Sequence, residues 1–559
     1  MSYTLNVAPE TLSLAERCMK PIPEDTGSFL SIRNDGQLYV DKTAYLHRMI
    51  TASRKCYFLA RPRRFGKSLM ITTLKEIFNG RKDLFEDLAI AKTDYAWKKH
   101  PVLHFNFGFC AEKSSYEDFD RSFALYVRDV LAGVGCEYND TVSPGANFGR
   151  AIDALAAKAH AEDSALPVIL VDEYDDPVAK TLDKVEIAER VRDRMASFFG
   201  QLKDRTEKFR FLMITGVSKF SKMSIFSTLS NLIDISFEDE YAMMLGYTEA
   251  ELDRYFTDRM QLQAEKMGLS YEAYRAEMRR MYNGYRFWRE EGEKVYNPVS
   301  INLNLAACKR EFAYYWTQTG RSSTLMNLIK RGDMCAIDPE RVTSVTDKAF
   351  DVSDLRNLKP VGMLYQTGYL TIKNYKPMRL GGIYELCVPD EEVRSDLSLL
   401  FASLHADKDV EWAAQAGADL LTGDFKSFFL ALKSLYAGVA YGSTEDSVHE
   451  ASFARNLQFL LAGQGFRMTP ERTTADGRID LVADHPCGTY IFELKVDKPA
   501  AVAMSQAEAK EYAAPYLAPG KPIWLVGLSF ERDTRKFLEG VYGSLSDFTA
   551  PKTAQEGWK

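Results

Sequence analysis

The chain has 559 residues, of which 46% are hydrophobic and 27% charged, with a formal net charge of −7. Domains run about 100–200 residues, so two to four units are expected, and the composition is ordinary for a soluble globular protein. The net charge excludes a global basic field that would draw in nucleic acid and leaves only a local patch for that task.

Residues 1–30 carry Pro21, Pro23 and Gly27 and read as an irregular lead-in. Over 31–247, short apolar runs (Cys56–Ala60, Val102–Phe107, Val168–Val171, Phe211–Thr215) alternate with helical stretches (Lys67–Phe78, Tyr116–Leu131, Glu186–Leu202). That alternation predicts a parallel sheet covered on both faces. Residues 248–330 read as a helical extension or lid, with Glu249–Lys266 and Tyr271–Tyr282 ahead of aromatic-rich loops. Residues 331–440 read as a mainly helical connector without a chemical motif. In 441–545 a helix at about 447–462 precedes three strand candidates, a helix at about 500–515 and a strand at Pro522–Leu528; 546–559 is a tail. The expected class is α/β, with an N-terminal parallel sheet plus helical extension and a separate, smaller C-terminal α/β domain.

The strand Cys56–Ala60 runs into Arg61-Pro62-Arg63-Arg64-Phe65-Gly66-Lys67-Ser68, where a helix begins. A tight loop entering a helix presents backbone N–H groups and a partial positive charge to phosphate. Gly66 allows close backbone approach, Lys67 would reach the β- and γ-phosphates, and Ser68 would ligate Mg²⁺. Arg61 stands where GxxxxGK[ST] has its first glycine. Arg63 and Arg64 are candidates for direct phosphate contact or for action in a neighbouring subunit, since a guanidinium fork matches paired oxygens. A second strand ends in Asp172-Glu173, the Walker B pattern. Asp172 would hold magnesium through water, and Glu173 would orient and deprotonate the attacking water. Asp175 and Asp176 read as a turn before Pro177. Thr215, at a third strand end, is either a γ-phosphate sensor or a plain strand exit.

Near the C-terminus, Glu471 to Asp480 reads as strand, Asp-Gly turn, strand, followed by Ile491-Phe492-Glu493-Leu494-Lys495-Val496. Residues two apart on a strand share a face, so Glu493 and Lys495 point one way and Phe492, Leu494 and Val496 the other. In a D-x(n)-E-x-K reading, Asp480 and Glu493 bind Mg²⁺ through hard oxygens and Lys495 positions or deprotonates a water. The alternative is an exposed cross-strand salt bridge. Glu450, at the start of the preceding helix, is an auxiliary candidate, as is Gln506. Gln506, Lys510 and Tyr512 either approach a phosphate backbone or form a solvated helix face.

The eight cysteines, at 18, 56, 110, 136, 308, 335, 387 and 487, form no CxxC pair. A zinc module or disulfide framework is not expected, and scattered thiols suit a reducing compartment. The first residues lack a secretion-signal pattern, and no apolar run approaches the roughly 18–20 residues that span a bilayer. The expected location is the cytoplasm, with no membrane partner.

Residues 25–240 resemble the AAA-ATPase-like family. The resemblance is carried by Tyr39-Val40-Asp41-Lys42-Thr43, the Arg61 to Ser68 loop with Arg61 in the family's place, Val171 to Asp175, Ile214 to Phe220 and Phe226-Ser227. It continues through Tyr282 to Phe287 and Tyr296-Asn297-Pro298. Residues 440–540 resemble the PD-(D/E)XK nuclease superfamily through Gly477 to Leu481, Phe492 to Lys495 and Gln506 to Tyr512. That family's first nuclease helix often has His where Ala454 stands. Together these imply an α/β chain with an N-terminal P-loop NTPase parallel sheet and a C-terminal restriction-endonuclease-like α/β domain, ATP and Mg²⁺ as cofactors, and a Mg²⁺-dependent nuclease-like domain acting on nucleic acid, DNA more than RNA. Homo-oligomerisation through the ATPase domain is a further expectation, with mobile-DNA defence or maintenance as the setting. The competing expectation is an ATP-dependent switch or scaffold whose nuclease-like domain binds without cleaving.

Overall fold

A computed structural model describes residues 19–24, 27–110, 115–219, 229, 231–288, 292–307, 311–316, 343–350, 355–356, 359–379, 381–437, 450–473, 477–517, 521–545 and 557–558. Phe220, Phe226, Ser227 and Asp476 lie outside the described residues, as does the side chain of Glu450. The chain divides into two compact units, Met1–Asp390 and Glu391–Lys559.

The first unit is built on five parallel strands in the order β2-β3-β4-β1-β5. These are β1 (Cys56–Ala60), β2 (Val102–Asn106), β3 (Val168–Asp172), β4 (Phe211–Gly216) and β5 (Ile233–Asp234). β1, β3 and β4 are buried at every position, as their unbroken apolar runs require of strands covered on both faces. Helices α1 (Phe29–Asn34), α2 (Thr43–Thr51), α3 (Lys67–Phe78), α4 (Tyr116–Gly133), α5 (Pro144–Ala161) and α6 (Val185–Phe199) complete this layer structure. α4 buries Phe119, Phe123, Val127 and Leu131 at four-residue spacing, one stripe facing the core. Ser115 starts it by accepting from Asp118 N–H. Phe148 stacks on Phe198 at 4.5 Å, within a cluster that also holds Phe105, Phe107 and Phe123. Each such ring buried from water contributes about 1.5–3 kcal/mol.

Because the strands are parallel, Ala60, Asn106, Asp172 and Gly216 all end at one edge of the sheet. Ligands of open parallel sheets bind at that carboxyl edge.

The helical extension consists of α7 (Glu249–Met267), α8 (Tyr271–Tyr282), the hairpin β6 (Asn283–Tyr285) with β7 (Val295–Tyr296), and α9 (Pro298–Ala307). Thr248 and Glu251 form a reciprocal capping box at the start of α7. Glu249 accepts from Arg279 Nε at 2.7 Å, Tyr296 Oη at 2.7 Å and Asn283 Nδ2 at 3.3 Å, tying these elements together.

The segment expected as one helical connector, 331–440, is neither uniform nor undivided. Among its described residues, β8 (Thr343–Thr346), β9 (Thr371–Pro377) and β10 (Gly382–Cys387) form an antiparallel sheet with α10 (Pro360–Thr367) beside it. Phe350 packs on Tyr384 at 4.9 Å and on Phe237 at 5.6 Å, so this sheet belongs to the first unit. β8 and β9 carry mostly polar residues (Thr343, Ser344, Thr346, Lys373, Asn374 and Lys376), so no apolar run marked them.

The remaining helices, α11 (Glu391–Ala406), α12 (Val410–Thr422) and α13 (Phe425–Ala437), belong to the second unit. There they join α14 (Glu450–Ala462), α15 (Ala500–Ala509) and the sheet β11-β12-β13-β14-β15-β16. The strands are Arg467–Thr473, Arg478–His485, Gly488–Val496, Ile523–Phe530, Phe537–Ser544 and Gly557–Trp558. Only the β13–β14 pair is parallel. Phe425 stacks on Tyr542 at 3.9 Å, so α13 covers β15, a strand the sequence pattern did not suggest.

Candidate functional site

At the end of β1 the loop turns through Arg64 and Gly66, both with positive φ (68° and 88°), and Gly66 is the N-cap of α3. Gly66 adopts that conformation at little cost, whereas Arg64 stores roughly 1–2 kcal/mol. Arg64 is held by its Nη1 donating to Tyr315 O at 2.5 Å. Lys67 Nζ donates to Arg61 O at 2.9 Å and Pro62 O at 2.8 Å, so the ammonium closes the loop on its own carbonyls. Burial lowers the Lys67 pKa, while Asp172 and Glu173 act against it.

The loop is also clamped from outside. Phe65 lies edge-on to Tyr285 at 4.7 Å and Phe287 at 5.1 Å, and Tyr285 Oη donates to Gly368 O at 3.1 Å. Arg61 is buried, donates through Nη1 to Ser236 O at 2.6 Å, and sits 4.2 Å above the Phe287 ring. Burial pulls its pKa down to about 10, with Tyr365 and Asp234 opposing. In place of the usual first glycine, the loop therefore carries a side chain that pins it to neighbouring backbone.

The second strand end is equally organised. Asp172 Oδ1 accepts from Thr215 Oγ1 at 2.6 Å and from Glu173 N–H at 3.0 Å. Thr215 is fully buried on β4 and lies beside Asp172. Glu173 leaves the strand at φ 53° and faces the cavity described below. Burial raises its pKa, and Asp172 and Asp176 raise it further. Asp175 is more than a turn residue. Its carboxylate accepts from Ser218 N–H at 2.7 Å, Ser218 Oγ at 2.5 Å and Val217 N–H at 3.2 Å, fixing the loop after β4. A Cβ at Gly216 would lie 2.5 Å from Asp175 Oδ1, so only glycine fits there.

The loop and Glu173 open onto a cavity of about 470 Å³ lined by Arg63 to Met70 and by Glu173, Asp176 and Lys180, whereas Asp172 and Thr215 are buried and are not among its lining residues. Its far walls come from Pro23, Glu24, Gly27, Tyr39, Lys42, Tyr247 and Asn302. Part of the supposed lead-in is therefore a wall: Asn302 Nδ2 donates to Pro23 O at 3.0 Å, and Gly27 O accepts from Thr72 Oγ1 at 2.7 Å. Lys42, of the resembling string, is held by Glu251 at 2.7 Å and Met243 O at 2.8 Å. No spacing pattern in the sequence marked Asp176, Lys180, Tyr247 or Asn302 as cavity residues. The volume, the helix N-terminus and the clustered cations fit a nucleoside phosphate.

In the second unit, β12–β13 pairing runs from His485↔Gly488 to Leu481↔Phe492. Beyond it, the Leu494 N–H donates to the Asp480 side chain at 2.8 Å. The strands part at the point where Asp480 and Glu493 would be opposite. Glu493 is 1% exposed and Lys495 7%, so their face of β13 is buried, contrary to an exposed salt bridge. Glu493 Oε1 accepts from Lys495 Nζ at 2.9 Å and from Gln506 Nε2. Tyr512 Oη donates to Arg478 O at 2.9 Å, and Gly477 packs so tightly against Lys510 and Tyr512 that a Cβ would lie 2.8–2.9 Å from them. The structure thus brings Asp480, Glu493, Lys495 and Gln506 together. The buried Glu493 and the half-buried Asp480 are the hard oxygen donors that a divalent metal would take.

Among the described residues, no helix is long and apolar enough to cross a membrane. The model of the family "Predicted AAA-ATPase" matches residues 23–226, and that of the PD-(D/E)XK nuclease superfamily matches 448–539. A protein of Azotobacter chroococcum mcd 1, described as "Uncharacterized protein in vnfD 5'region", is 34% identical over 540 residues, covering 94% of this chain and 99% of that protein. No solved structure matches. The chain belongs to the predicted AAA-ATPase family and carries a C-terminal domain of the PD-(D/E)XK nuclease superfamily.

Proposed function

We propose that the protein binds and hydrolyses ATP in the cavity beside Lys67, and that its C-terminal unit is a Mg²⁺-dependent nuclease controlled by that nucleotide. The observation that carries the second half is the buried cluster of Glu493 with Lys495 and Gln506, placed where β12 and β13 part at Asp480. An acid and a base buried on a strand cost desolvation energy that packing alone does not return.

In the ATPase unit, Gly66, Lys67 and Ser68 bind the phosphates, with Arg63, Arg64 and Phe65 shaping the loop. Ser68 and Asp172 would hold the magnesium, and Thr215 orients Asp172 through its 2.6 Å hydrogen bond. Glu173 takes the proton of the attacking water, aided by the raised proton affinity its burial confers. In the nuclease unit, Asp480 and Glu493 would hold Mg²⁺, which supplies polarisation of the scissile phosphate when bound. Lys495 positions the water and offsets developing charge, and Gln506 fixes the Glu493 carboxylate. DNA is the proposed substrate, in mobile-DNA defence or maintenance by analogy of architecture.

The test uses purified full-length protein with Mg²⁺, ATP and single- or double-stranded DNA and RNA. Cleavage should require Glu493 and Lys495, disappearing in Glu493→Ala and in Lys495→Ala. ATP turnover should disappear in Lys67→Ala. Cleavage that persists in both nuclease variants would be contamination and end the nuclease reading. Metal-dependent nucleic-acid binding without cleavage would favour a switch or scaffold.

A further inference from the structure

The arginines of the P-loop have different surroundings. Arg61 is buried against Ser236 and Phe287, and Arg64 donates to Tyr315 O. The Arg63 side chain is 50% exposed, and its Nη2 lies 3.4 Å from Asp176 Oδ1. The other oxygen of Asp176 lies 2.9 Å from Lys180 Nζ. Arg63, Asp176 and Lys180 all line the cavity together with Lys67 and Glu173.

Resting on the nucleotide reading of this cavity, we infer that Asp176 holds the place of the terminal phosphate, and that Arg63 and Lys180 are the ligands by which a nucleoside triphosphate is told from a diphosphate. One carboxylate between two cations leaves a net positive charge. A γ-phosphate carries more negative charge and three acceptor oxygens, enough for both. The burial is asymmetric in the required sense. Asp176 is 8% exposed and fixed on a short helical turn, whereas Arg63 and Lys180 are long side chains at 50% and 32%. The cations can change partner while the carboxylate stays. Lys67 is occupied differently, by the loop carbonyls of Arg61 and Pro62, so it is not a cation for which Asp176 and a phosphate would compete. The Asp176 N–H donates to Glu173 O at 3.2 Å, which places the pair together on the Walker B side of the cavity. Lys180 lies outside the sequence motifs and was found only by this geometry.

The experiment is calorimetric binding of ATPγS and of ADP, each with Mg²⁺, to the full chain. Arg63→Ala and Lys180→Ala should each weaken ATPγS about tenfold, the loss of one charged hydrogen bond, and ADP by less than about twofold. Asp176→Asn, nearly isosteric, removes the competitor and should tighten ATPγS more than ADP. Arg63→Lys should recover part of the Arg63→Ala loss. Both cations are well exposed, so the melting temperatures of their alanine variants should match wild type. Equal weakening of both nucleotides, or no change from either alanine variant while Lys67→Ala abolishes binding, overturns the assignment and leaves the nucleotide site standing. Failure of the wild type to bind either nucleotide overturns both.

Discussion

Asp175 is buried, its pKa is raised by that burial, and its carboxylate is the acceptor for three donors from Val217 and Ser218. Asp175→Ala would leave those donors unsatisfied, and each buried orphan costs roughly 1–3 kcal/mol. Denaturant unfolding should show a loss of at least that size. Glu173 makes a prediction of opposite sign. Its pKa is raised in the folded protein, so its proton is held more tightly there than in the unfolded chain. Its contribution to stability is then fully present below the unfolded carboxyl pKa and lost as pH rises through the folded one. Glu173→Gln mimics the protonated form. It should raise the melting temperature at pH 7, with the gain shrinking toward about pH 4, where the unfolded-state carboxyl also becomes protonated. The same variant should lower ATP turnover by about 10²–10⁴-fold, as expected for a lost general base. The acid limb of wild-type turnover should lie above the ordinary carboxyl range for the same reason.

Among elements, the P-loop is the one whose conformation depends most on distant chain. Phe65 is held by Tyr285 and Phe287 of the β6 region, and Arg61 by Ser236 after β5. Phe65→Ala should cost about 3–5 kcal/mol, the usual penalty for emptying a buried aromatic site. It should also weaken nucleotide binding, although Phe65 bears no charge, because the loop carrying Lys67 loses its outer support. Titration calorimetry and thermal melting read the two effects separately. The aromatic string Tyr282 to Phe287 is thus explained by packing, and Asn283 and Tyr296 by their hydrogen bonds to Glu249.

For the whole molecule, the unit boundary lies at Asp390–Glu391, some fifty residues before the sequence-based boundary at 441. The reason is physical: α13 lays Phe425 and Phe429 against Tyr542 and Phe537 of β15. A fragment beginning at residue 391 should unfold cooperatively. A fragment beginning at 441 exposes that apolar face and should aggregate or lack a sharp transition. Circular dichroism melts of the two fragments decide between the boundaries.

The sequence by itself determined what is local. Strands β1 to β4 of the parallel sheet were legible as short, mainly apolar runs and the two-residue β5 was not, and the observed bounds of α3 and α8 match the periodic segments Lys67–Phe78 and Tyr271–Tyr282. The placement of the motif strings at the ends of β1 and β3, and of Glu493 and Lys495 on one face of β13, was legible because each string lies at a short fixed spacing within one element. Tertiary structure alone decided what depends on residues far apart in the chain. It brought Pro23 and Asn302 to one cavity wall, made Asp175 a buried acceptor, and divided the connector between two cores. Those outcomes rest on closing loops of tens to hundreds of residues, and no periodicity within a short window encodes which distant partner will satisfy a buried polar group.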